Sequence, residues 1–278
     1  MLHFLQKLPE FNPVAAGRKA SLKFPNGPTY RQAIIQYKTS GTAATEGQML
    51  SDIDRVALKI NGIVRWEATG KQLLMLNKYY HEAGFKNGEL IIDFTRSWAR
   101  TKEGEENLAW GTRNVNSIFL EVKLNAAATS PELSADAIIT PDSRDLGLIV
   151  ECHDFGYDTS TTGKKEIPDL PIENGSLVAL HLDNSDITAL ELKINKVPYI
   201  EDDTDLTSYQ RYLERVGKRT PQTGITHVDA LALNRLDDAW TLSGVSTFNV
   251  NPTVSAAGSI PILMETLSQP LGPARTAS

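Results

Sequence analysis

Four groups of residues have types and spacings that could do chemistry. In the segment SLVALHLD, His181 and Asp183 stand two apart, and His227 opens a later strand in the same half of the chain. Two histidines and a carboxylate form the ligand set of non-haem iron oxygenases. Nothing nearby identifies a cosubstrate site, and the first half of the chain has no counterpart. A surface or interface role for His181 is the simpler expectation. Cys152 and His153 adjoin in the run ECHD. Neighbours on a strand point to opposite faces, so thiol and imidazole would not meet, and Cys152 is read as structural. The acidic run EDDTD offers Glu201, Asp202, Asp203 and Asp205 as hard oxygen ligands for calcium. It lacks the glycine-containing loop of an EF-hand and precedes a helical stretch, where carboxylates cap open N–H groups. Trp66, Trp98, Trp110 and Trp240 are candidate platforms for a sugar, as in a lectin-like protein. Trp110 and Trp240 each follow an alanine and suit core anchors of the two halves. The reading that results is no catalytic residue, no tightly held transition metal, and either no cofactor or calcium alone.

The elements that would position these groups are mainly strands. Val56, Leu58 and Ile60 share one face opposite Ala57, Lys59 and Asn61, as do Leu90, Ile92 and Phe94 opposite Ile91, Asp93 and Thr95, and Ile118, Leu120, Val122 and Leu124 opposite Phe119, Glu121 and Lys123. This period of two is that of half-buried strands in antiparallel sheets. The runs SLVALHLD and ALELKIN continue the style. SLVALHLD is apolar or small on both faces, which suits a strand with one face against a partner. Helices are expected near Lys71–Ala83, with Thr69 as N-cap and Gly84 beyond the end, and near Asp205–Val216, closed by Gly217.

The order of elements occurs twice. The tetrapeptide LKIN ends a strand at Leu58–Asn61 and again at Leu192–Asn195, 134 positions on. A helix, a glycine and a strand leading to an arginine (Arg96 or Arg235) follow each copy. Several ordered matches at nearly constant offset indicate internal duplication. Asn125–Ala137, small and polar with a proline, reads as the linker. The expected architecture is all-β: a double jelly roll of two tandem antiparallel jelly rolls, each with one inserted helix. Residues 1–130 form the N-terminal jelly roll. Residues 131–278 form the C-terminal one, with a flexible C-terminal tail, and the first residues up to Val14 are read as an arm.

Composition narrows the function. The 278 residues are 41% hydrophobic, with a formal net charge of −6 and one cysteine. An acidic chain without clustered cations is a poor partner for nucleic acid. One cysteine excludes an intramolecular disulfide and a cysteine zinc cluster, and fits assembly in a reducing cytoplasm. No apolar run is long enough to span a bilayer, and no signal peptide is read at the N-terminus.

Three stretches in order give a more specific signal: PVAAGRKASLKFPNGPTY, then AWGTRNVNSIFLEVKL with PELSADAI, then EIPDLPIENGSLVALHLDNSDITALELKIN with YLERVGK. In these the chain resembles the viral coat protein P2 family, the capsid proteins of corticovirus-like phages. The loop SWARTKEGEEN and the segment after Arg235 match the pattern less well. The resemblance implies two jelly rolls per chain, a homotrimer forming a pseudo-hexagonal capsomer, and an icosahedral shell over an internal membrane. It implies neighbouring capsomers, a penton protein and minor capsid or membrane proteins as partners, with at most peripheral contact to the membrane. It places the protein in the virion capsid after synthesis in the host bacterial cytoplasm. It also adds weight to calcium. A jelly-roll metal-dependent oxygenase and a lectin-like carbohydrate-binding protein are the alternatives.

Overall fold

The computed structural model describes residues 3–81, 84–99, 101–167, 170 and 175–271. The chain divides into two compact units, Met1–His153 with Gln269–Ser278, and Asp154–Ser268.

In the first unit the strands are β1 (Phe4–Lys7), β2 (Lys19–Lys23), β3 (Thr29–Thr39), β4 (Thr42–Ala43), β5 (Ile53–Ile60), β6 (Ile63–Ala68), β7 (Glu89–Asp93), β8 (Ile118–Leu124) and β9 (Pro131–Thr140). One sheet runs β1-β9-β3, with β4 and β7 on the far side of β3. The other runs β6-β5-β8-β2, all antiparallel. The start of β10 (Ile149–Thr159) joins this sheet in parallel, with Cys152 opposite Trp66. The alternating sets predicted to face inward do so: Val56, Leu58, Ile60, Leu90, Ile92, Phe94, Ile118, Leu120, Val122 and Leu124 are all buried. One end of this core is aromatic, with Phe24 4.7 Å from Tyr30 and Phe94 stacked 4.4 Å from Trp110.

The second unit holds β11 (Gly163–Lys164), β12 (Gly175–Asp183), β13 (Ile187–Ile194), β14 (Val197–Ile200), β15 (Ile225–Asp229), β16 (Trp240–Thr241), β17 (Phe248–Val254) and β18 (Gly258–Ser268). Its sheets run β15-β12-β18, with β16 on β12, and β11-β17-β13-β14. The plan is that of the first unit: β9-β3-β7 corresponds to β18-β12-β15, and β2-β8-β5-β6 to β11-β17-β13-β14. The core between these sheets is aliphatic, built on Leu180, Leu182, Leu190, Leu192, Val250 and Ile262. Both faces of β12 are buried, so its apolar character is used within the chain and does not mark an open face.

The repeated LKIN is a repeated tie. Asn61 and Gly62 take φ of 51° and 84°, and Asn195 and Lys196 take 49° and 67°. Two successive left-handed residues make the tight hairpin turn whose twist matches its strands. Asparagine and glycine tolerate this conformation, and Lys196 carries strain that Gly62 does not. The Asn61 carboxamide accepts from the backbone N–H groups of Asn116 (2.9 Å) and Ser117 (3.2 Å), just before β8. Asn195 accepts in the same way from Ser246 (2.9 Å) and Thr247 (3.4 Å), just before β17.

The inserted helices are α2 (Gly70–His81) and α4 (Leu206–Tyr212), each between a hairpin and the next strand. The predicted end of the first at Ala83 lies outside the described residues. Thr69 caps α2 reciprocally with Gln72 (Gln72 N–H to Thr69 Oγ1, 3.2 Å; Thr69 N–H to Gln72 Oε1, 2.7 Å). Beyond α4 the backbone continues as a π-helical turn, Leu213–Gly217, closed by Lys218 in the left-handed region. Arg219 then turns inward. Its Nε meets Asp229 Oδ2 at 2.8 Å, and its Nη1 donates to the Gly217 carbonyl at 2.6 Å, both side chains being buried.

Several expectations are corrected. The boundary at 130/131 falls just before β9, which pairs with both β1 and β3, so β9 belongs to the first unit. Part of the supposed linker is therefore strand, with small Ala135 and Ala137 buried in it. The supposed N-terminal arm includes β1, held on β9 by backbone pairing from Phe4 opposite Ile139 to Lys7 opposite Asp136. Arg96 and Arg235 are not equivalent, since Arg96 is buried and Arg235 exposed. Two further helices, α1 (Glu46–Asp52) and α3 (Lys102–Glu106), lie in the first unit; α1 starts with a Thr45–Gln48 capping box. The tail beyond residue 271 lies outside the described residues.

Two measurements probe these ties. Asn195→Ala should lower unfolding free energy by about 1–3 kcal/mol, from lost hydrogen bonds plus left-handed strain, and Asn195→Gly should recover the strain part only. Denaturant unfolding of both variants checks the order. Arg219→Met removes the guanidinium that neutralises the buried Asp229 carboxylate, and should cost roughly 3–5 kcal/mol in the same assay.

Candidate assembly surface and buried polar cluster

Large apolar side chains left outside the two cores are candidate contact points. In the first unit these are Phe4 and Leu5 on β1, Leu50 on α1, Ile63 (56% exposed) and Val64 on β6, and Leu271. In the second they are Val197 (57% exposed) and Tyr199 on β14. Ile63 and Val197 are the first strand residues after the two equivalent asparagine turns. Both units thus present an apolar hairpin arm at the same place in the plan. Tyr199 leans on Trp240, with ring centroids 4.8 Å apart. Isolated exposed apolar residues are ordinary on protein surfaces; the same exposed position in both copies is the informative observation.

The residues considered for chemistry fall into other roles. His181 and His227 are brought together across β12 and β15, with their Nδ1 atoms 2.7 Å apart. Both are buried, which corrects the surface or interface role expected for His181. Asp183 lies opposite Ile225, and the carboxylate that meets His181 is Glu265 on β18, 3.4 Å from Nε2. Two of the three proposed iron ligands therefore meet, with their Nδ1 atoms turned to each other. Among the described residues no group of three or more histidine, cysteine or acidic side chains is placed to hold a metal ion. Burial, with the neighbouring His181 adding to it, holds His227 well below the ordinary imidazole range. The sequence alone did not join His181 to Glu265, because that needs the β12–β18 pairing.

Cys152 is buried, and His153 reaches Glu151 (Nε2 to Oε2, 3.4 Å) on the other face of the strand. In the acidic run, Asp205 caps α4, its Oδ1 accepting from Thr207 N–H at 3.0 Å and its Oδ2 from the Ser208 hydroxyl at 2.7 Å. Those bonds hold the Asp205 carboxyl below its usual range. Asp202 pairs with Lys164 at 2.9 Å, and Glu201 and Asp203 are exposed. Of the tryptophans, Trp66 and Trp110 are buried. Trp240 is half-buried, and Trp98 stacks on Tyr80 with Arg96 over both rings. No helix among the described residues is long and apolar enough to cross a membrane.

Residues 5–140 match the family model for the viral coat protein P2 N-terminal domain, and residues 149–270 match that for its C-terminal domain. The major capsid protein P2 of Pseudoalteromonas phage PM2 is 27% identical over 190 residues, a stretch spanning 66% of each chain. The crystal structure of the P2 protein from bacteriophage PM2 superimposes with a TM-score of 0.86 at 20% identity, over 96% of this chain and 98% of that one. The major capsid protein of Sulfolobus turreted icosahedral virus superimposes with a TM-score of 0.73 at 14% identity, over the full length of both. The PBCV-1 virus capsid protein does so with a TM-score of 0.66 at 10% identity, over 96% and 94%. The paired sheets repeated in two units are the double jelly roll of these capsid proteins, and with both domain models matched in order the chain belongs to the viral coat protein P2 family.

Proposed function

We propose that this coat protein works as a homotrimer, a pseudo-hexagonal tile of an icosahedral shell that encloses an internal membrane. The observation that carries this reading is the repetition of one β plan in which both copies leave an apolar hairpin arm exposed, Ile63 and Val64 in one and Val197 and Tyr199 in the other. Three chains supply six similar units. A contact between unlike surfaces closes into a ring when the rotation per chain suits it. Two copies of the plan, similar in structure and different in sequence, supply such surfaces without requiring true sixfold symmetry. In this arrangement the arms meet neighbouring units, and permanent interfaces commonly bury more than about 2,000 Å². Penton and minor proteins would complete the shell. The net charge of −6 favours a shell that leaves the genome to the membrane interior.

Size-exclusion chromatography with light scattering tests the reading. The unmodified chain is expected at three times its monomer mass, and Ile63→Asp with Val197→Asp is expected to run as a monomer with an unchanged circular dichroism spectrum. A monomeric unmodified chain, or a double variant that stays trimeric, would contradict the assignment.

A further inference from the structure

In each unit a histidine fastens the inserted helix, or the loop behind it, to the strand that follows, and the two histidines are wired in opposite senses. In the first unit His81 on α2 pairs through Nε2 with the carboxylate of Asp93 on β7. In the second, α4 is fixed to β15 by the Gln210 amide. Its Nε2 donates to the His227 carbonyl at 2.9 Å, and its Oε1 accepts from the His227 N–H at 3.4 Å. The His227 ring enters a chain of hydrogen bonds whose direction can be deduced. The backbone N–H of Gln222 lies 3.3 Å from His227 Nε2 and can only donate, so Nε2 is the acceptor and the proton sits on Nδ1. His227 Nδ1–H then donates to His181 Nδ1 at 2.7 Å, and His181 donates from Nε2 to Glu265 at 3.4 Å. His227 carries a single ring proton in this arrangement. One more proton on either ring turns two N–H groups against each other, at Gln222 or between the rings.

We infer that the two units carry acid-responsive latches of opposite sign: acidification tightens the His81–Asp93 contact of α2, and loosens the His181–His227 chain that holds Gln222 on β15, the strand to which α4 is fixed through the His227 backbone. The groups around the buried pair do not reverse this. Asp229 on β15 is engaged by Arg219 at 2.8 Å. Tyr209 on α4 accepts from the Asp229 N–H at 3.3 Å, and Arg211 and Glu214 lie exposed. Asp183 is half-buried at the end of β12, and Glu265 is the acceptor already in the chain. The signs follow from linkage. The hydrogen bond to Asp93 raises the pKa of His81 against the opposing pull of burial and of the Arg96 charge, so its contribution is full below the unfolded value and is lost as pH rises through the folded one. Burial lowers that of His227, so its contribution is full above the unfolded value, about 6.5, and is lost as pH falls toward the folded one.

Hydrogen exchange on the intact assembled protein, at pH about 7.5 and about 5.5, tests the inference. Protection of residues 205–229 should fall about tenfold, as uptake of one proton on opening requires, while that of residues 70–81 and 89–93 is kept or rises. His227→Gln keeps an acceptor for Gln222 and a donor for His181, and should abolish the acid sensitivity of 205–229. Should that variant not fold, selective ¹⁵N labelling of the five histidines in the unmodified protein decides. One buried ring should report a protonated Nδ1 and a bare Nε2, and titrate below the ordinary range. Equal protection at both pH values, or a His227 ring that titrates near 6.5, would overturn it.

Discussion

Each unit depends on how a hairpin is tied to a strand distant in sequence. Asn61 and Asn195 sit in the left-handed region, and each sends its carboxamide to the backbone just before β8 or β17. One side chain thus sets the turn between two strands of one sheet and the entry of a third. The backbone repeats the tie, with Asn61 N–H donating to Ser117 and Asn195 N–H to Thr247, both at 2.9 Å. With the register of β5–β8 and β13–β17 held at this point, alternation sends the same side chains inward along each strand. Packing in the two cores is free to differ once register is set. One core is partly aromatic, around Phe24, Phe94 and Trp110, and the other is aliphatic.

The strands with clean alternation were legible because one buried face forces a period of two, as in β7 and β8. The repeat was legible because the left-handed turn demands asparagine in both copies. β9 was not, since its buried positions include Ala135 and Ala137, small residues that fit closely against β3 and carry little hydrophobic signal. β1 was hidden for another reason. All four of its residues are exposed, and backbone pairing alone defines it. The capping box Thr45–Gln48 was present in the sequence as a start signal for α1, but the helix is too short for a visible stripe.

The chemistry-bearing residues show a related limit. The sequence placed His181 and Asp183 on one strand and His227 on another, but a metal site depends on which atoms face one another. Pairing of β12 with β15 and β18 turns the imidazoles toward each other and brings up Glu265. The result is a closed polar chain inside the second unit. The acidic run was the opposite case, since a local rule was sufficient to read it: Asp205 precedes a helix and caps it.

The central claim is that one β plan, used twice, makes a tile that assembles with its own copies. Electron cryo-microscopy of the purified chain at high concentration tests this most directly. The account predicts three chains around a threefold axis, with six β units in a near-hexagonal outline and the Ile63 and Val197 hairpin arms at contacts between chains. Single chains with no threefold contact, across calcium and salt conditions, would contradict it.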